Sequence, residues 1–262
     1  MRRVALLTLL FSALAHAADD PALLYSRAMD VITGGNTSRS PLQAVSDIRT
    51  AAQQGYVPAQ YATAYFYETG FQVAREPQAA FTWYAKAANQ GDRLSQWALG
   101  RMYLTGAGTL RNLNEAAAWL EKSANQGDPF AAQLMGVLKE QQYAWADASN
   151  WYRRAADAGL PQAQAALGRL YRTDRLGMRD YAQAFFWLRM ASLNGLESAR
   201  NAAGEVERQL TREQADQIND RVHAEQDRYM REVNDRGCSG WEGEFDDLPK
   251  PPPPDLQRYC RR

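Results

Sequence analysis

Side chains able to do chemistry are few in this 262-residue chain. His16 and His223 are its only histidines, so a His-rich zinc site or a Ser-His-Asp arrangement has almost no material. Cys238 and Cys260, the only cysteines, lack the close spacing of a redox dithiol. What remains suits binding. Tyr61, Tyr65 and Trp97 offer aromatic faces for sugar rings or apolar side chains. Arg101, Arg169 and Arg172 offer guanidinium groups that grip carboxylates through two parallel hydrogen bonds. Glu68, Glu140 and Gln133 add two acids and an amide. The two glutamates are the remaining candidates for acid–base work, but no set of metal or cofactor ligands accompanies them, and neither a metal nor a cofactor is expected. Thirty basic and thirty acidic residues cancel, which leaves nothing to draw the chain to nucleic acid.

These side chains recur in a register. The stretches WYAKAANQG at 83–91, WLEKSANQG at 119–127, WYRRAADAG at 151–159 and WLRMASLNG at 187–195 place their tryptophans 36, 32 and 36 residues apart. Each ends on a glycine, and Gly55 closes an earlier, degenerate unit. Nine residues after each closing glycine stands a small residue, at Ala64, Gly100, Gly136, Gly168 and Gly204. Ala80, Trp83, Tyr84, Ala87 and Ala88 follow the spacing of an amphipathic helix, a pattern that puts Trp119 and Trp151 in the core as well. The closing glycine fits the left-handed position after a helix, and Pro129 and Pro161 fit the first turn of the next, with Asp128 as a cap. Each unit is therefore a helix, a loop, a second helix and a tight turn. The third is four residues shorter, lost from its loop near Gln141. On a wheel of about 100° per residue, positions four, eight and twelve after the glycine share one face. Positions six, ten and thirteen fall opposite and vary, and they hold all nine binding candidates. Variable columns suit recognition.

The LGRMY stretch, the TGAG loop at 105–108 and AAAWLEKSANQG resemble the Sel-one-like repeat family. The resemblance implies an all-α, right-handed superhelix of antiparallel helix pairs, related to tetratricopeptide repeats, whose first helices line a concave groove. It would show aromatics from early repeats and arginines from the last. This chain departs from the pattern in its first unit, which lacks the LG pair, and in its third, where Lys139 replaces tyrosine. A cysteine-rich branch of the family is linked to cell-wall or β-lactam hydrolysis, but it carries a disulfide in each repeat, and these repeats hold no cysteine. The resemblance thus favours a non-enzymatic scaffold for a protein, a peptide or a cell-wall glycan fragment. The alternative is an assembly factor for an exopolysaccharide or secretion machine.

Residues 1–17 read as a cleaved secretory leader: Arg2 and Arg3, a short apolar run, then the small pair Ala15 and Ala17. That run, about 12 residues, falls short of the roughly 20 that span a bilayer. Residues 18–58 form a degenerate helix pair, 59–195 the four repeats, 196–233 a cap and a long helix opened by Thr211 and Gln214, and 234–262 a tail. The tail carries both cysteines, four acids between Glu242 and Asp247, and Pro251 to Pro254. In a protein expected in the periplasm, Cys238 and Cys260 are expected to form a disulfide that staples this Pro-rich end.

Overall fold

A computed structural model describes residues 20–36 and 38–236. The leader expected at 1–17 and the bond expected between Cys238 and Cys260 both lie outside the described residues. Among those described there are twelve α-helices, one short 3-10 turn and no strand.

Local chemistry sets the ends of the helices. Asp20 accepts from the Ala22 amide to open α1 (Pro21–Ile32), and Ser40 caps α2 (Pro41–Gln53) through the Gln43 amide. Then follow α3 (Val57–Thr69), α4 (Pro77–Asn89) and α5 (Arg93–Thr105), the last capped by Asp92. Among the described residues, those up to Arg111 make one compact unit, in which each helix packs on the next in chain order.

A second unit begins at Asn112. It holds α6 (Leu113–Asn125), α7 (Pro129–Gln141), α8 (Trp145–Asp157), α9 (Pro161–Tyr171), the 3-10 turn Asp174–Leu176, α10 (Tyr181–Leu193), α11 (Glu197–Glu207) and α12 (Arg212–Arg236). Asp128 caps α7 through the Ala131 amide, and Thr211 and Gln214 exchange hydrogen bonds at the start of α12. Here too neighbour packs on neighbour as far as α11, as in a solenoid, and α12 lies against α10. The closing glycines of both units sit at φ between 88° (Gly159) and 98° (Gly195), where a β-carbon is strained.

The core corrects the placement of the tryptophans. Trp83, Trp119 and Trp151 are half-buried, and the residue after each, Tyr84, Leu120 or Tyr152, is buried instead. One helical turn beyond each tryptophan a cation covers the ring: Lys86 and Lys122 at 3.8 Å and Arg154 at 4.5 Å from the ring centres. The ring edges the apolar stripe, where its size spans core and solvent. Trp187 is the exception, 5% exposed, in the helix against which α12 lies. The small-residue column serves the buried member of the pair. A β-carbon on Gly136 would stand 2.5 Å from the Tyr152 ring, so this glycine is what lets Tyr152 close on α7.

Candidate functional site

A first set of polar contacts fixes one repeat to the next. Gln60, Gln96 and Gln164, all buried, each donate an amide hydrogen to the carbonyl eight residues earlier, that of Ala52, Ala88 or Ala156, at 3.1–3.3 Å. Gln60 also accepts from Gln90 of the following repeat at 2.7 Å, and Gln164 from Asn194 at 2.9 Å. Buried amides satisfied on both sides hold a helix pair at a fixed spacing. The third repeat has Ala132 at this position and forgoes the contact.

The candidate binding residues gather into two clusters and one separate pair. In the first unit the Glu68 carboxylate accepts from the Tyr84 hydroxyl at 2.8 Å and from the Arg101 guanidinium. Arg101 lies 5.2 Å over the Trp97 ring, and the Tyr61 ring is 5.6 Å from that of Tyr84. Tyr61, Glu68, Trp97 and Arg101 are thus joined through Tyr84, a residue of α4 that the variable columns of the first helices do not contain. Tyr65 stands half-buried one turn before Glu68. In the second unit the Glu140 carboxylate accepts from the Tyr152 hydroxyl at 2.8 Å, from Arg169 at 2.9 Å and from Arg175 at 3.4 Å. Arg172 stands apart and donates to Glu205 at 3.0 Å. Gln133 is half-buried on α7, outside both clusters.

One rule relates these contacts. The residue thirteen after one closing glycine meets the residue ten after the next: Glu68 with Arg101, Glu140 with Arg169, and Arg172 with Glu205. At the same positions of the sequence, Leu104 is followed by Val137. Acid with base and base with acid are complementary pairs, so the two columns vary together. Tyr84, Tyr152, Arg175 and Glu205 are the residues that a reading of the columns one by one misses. The signal that finds the pairs is their complementarity from one repeat to the next.

Electrostatics give the tyrosines one role. Burial, then the neighbouring Glu140 carboxylate, raises the Tyr152 hydroxyl, and burial, then Tyr61 and Glu68, raises that of Tyr84 well above 10.0. Burial raises Tyr61 too, and Tyr65 likewise, with Glu68 contributing to each. These phenols are held protonated at neutral pH, as donors rather than bases. Each glutamate is tied to one such donor and at least one arginine. The arrangement positions helices and presents half-buried aromatic rings.

A family model described as the Sel1 repeat matches residues 57–92, 93–128, 148–160 and 161–196. The short third match coincides with the truncated unit. No curated protein sequence matches this chain. Among solved structures, a protective antigen present in uropathogenic Escherichia coli strains and displaying an SLR fold superposes with a TM-score of 0.69 at 26% identity. That likeness covers 86% of this chain and 48% of the antigen, so the chain spans about half the length of that protein. A Sel1 repeat protein from Oxalobacter formigenes superposes with a TM-score of 0.65 at 25% identity, over 80% of this chain and 89% of that one.

Proposed function

We infer, from the premise that this chain belongs to the Sel1-like repeat family, that it is an exported, non-enzymatic scaffold that binds an extended segment of a partner protein in the bacterial envelope. Sel1 repeat proteins generally act as protein-binding scaffolds. The finer reading rests mainly on one observation: in the first unit, Tyr61, Tyr65 and Trp97 stand half-buried around Glu68 and Arg101, whose charges already answer each other. A surface of rings edged by a satisfied ion pair favours apolar side chains and backbone over a strongly charged ligand. Export is supported by the sequence of residues 1–17, and no described helix is long and apolar enough to cross a membrane.

The test uses the full chain purified from the periplasm of an expressing bacterium. Intact mass is expected to begin at residue 18; a retained leader argues against export. Chemical crosslinking to envelope extract, read by mass spectrometry, is expected to yield a protein whose capture is lost on Trp97→Ala with Tyr61→Ala but kept on Arg172→Gln. Capture that survives the aromatic pair of substitutions removes this face. A partner drawn from a polysaccharide secretion machine would replace the general scaffold role with the assembly role.

A further inference from the structure

The truncated third repeat carries a feature that the aromatic face of the first unit does not use. Only Gln142, Tyr143 and Ala144 join α7 to α8. To turn in so few residues, Tyr143 adopts φ 60°, the left-handed region that strains any residue with a β-carbon. Its amide donates to the Glu140 carbonyl at 3.0 Å, and the Ala144 amide donates to that of Lys139 at 3.0 Å. The side chain is thrown outward, 77% exposed. There its ring meets that of Trp145 edge to face, 5.6 Å between centres and 83° between planes. The Arg175 guanidinium lies 4.4 Å over the Trp145 ring and bonds Glu140. Two rings at right angles are therefore held in place, one by the backbone and one by a cation, and the outer one faces solvent.

We propose that this corner is the docking site of the chain's own proline-rich segment, Pro249 and Pro251 to Pro254, folding back within the same molecule. A run of prolines is already a polyproline II helix, with rings to lay on aromatic faces and carbonyls that have no internal partner. It binds aromatic-lined surfaces with little further loss of freedom. The chain supplies reach: α12 ends at Arg236, and the 14 residues 237–250 extend to about 50 Å at roughly 3.3–3.6 Å each. Charge also agrees. Asp246, Asp247 and Asp255 outnumber Lys250 around the prolines, and Arg175 over Trp145, though bonded to Glu140, keeps 43% of its side chain exposed. The proposal goes beyond the binding role inferred for the first unit and does not depend on it.

Hydroxyl-radical footprinting of the full chain tests the idea. Replacing Pro251, Pro252, Pro253 and Pro254 together by serine is expected to raise oxidation of Tyr143 and Trp145 several-fold at an unchanged melting midpoint. Conversely, Tyr143→Ala is expected to speed proteolysis within 237–262 several-fold. Equal oxidation in the two proteins overturns the proposal. Protection that disappears on dilution assigns the site to the tail of a second copy and overturns the intramolecular form. If a synthetic peptide of residues 247–256 protects a corner that the full chain leaves open, the site serves a partner in trans, and the proposal fails.

Discussion

Glu68 in the first unit and Glu140 in the second each accept a tyrosine hydroxyl at 2.8 Å and an arginine from the following repeat, yet their surroundings differ. Around Glu68 the arginine side chain is 31% exposed and lies over Trp97; around Glu140 it is 50% exposed, and Arg175 joins it. Nine residues after the closing glycine the first unit has Ala64, packed in one apolar cluster with Tyr84, where the second has Gly136 under the ring of Tyr152. The same three polar groups are thus built beside a methyl group in one unit and beside a bare glycine in the other. Around Glu68 the rings of Tyr61, Tyr65 and Trp97 stand half-buried, whereas around Glu140 two arginines reach the surface, one of them over Trp145. A repeat contact can be kept while the surface around it is free to change.

The largest effect should come from the helix spacing itself. Gly136→Ala places a methyl group inside the Tyr152 ring and is expected to destabilise the second unit by about 1–3 kcal/mol, as overpacked cores do. Ala64→Gly is expected to cost about 0.5–1 kcal/mol, chiefly from helix propensity. Denaturant midpoints decide, and equal losses would show that the two tyrosines sit at the same distance from their partner helices.

Next is the hydroxyl. Tyr84→Phe and Tyr152→Phe are each expected to cost about 1 kcal/mol by removing one hydrogen bond to a carboxylate. The same pair predicts a pH dependence. Both phenols are raised in the folded protein, so their contribution is fully present below 10.0 and is lost as pH climbs above it. Wild type should therefore lose stability between neutral pH and about 11 more steeply than either variant. Parallel curves would mean that these hydroxyls are not what the fold protects.

The smallest effect separates the arginines. Arg169→Gln, at a well-exposed pair, is expected to change stability by no more than about 0.5 kcal/mol, with the difference from wild type shrinking in high salt. Arg101→Gln is expected to cost up to about 1 kcal/mol and to respond less to salt, because the pair is less exposed and the guanidinium also covers Trp97. Identical salt responses would remove the contrast between the two units.

Helix ends were legible in the sequence because their causes are local. A closing glycine, a proline in the first turn and an aspartate at the cap act within about four residues, whatever packs outside. The same locality explains why the repeat register, the number of units and the Thr211–Gln214 cap could be read directly. What tertiary structure alone decided lies about one repeat away. Glu68 finds Arg101 across 33 residues, Glu140 finds Arg169 across 29 and Arg172 finds Glu205 across 33, the shorter step arising from the truncated loop. No local rule specifies such a contact, since it depends on how far one helix pair is offset against the next. The tryptophans follow the same logic. Period and hydrophobicity place Trp119 and Leu120 on one apolar stripe, but only the adjoining helices determine which is sealed and which is left at the edge under a lysine.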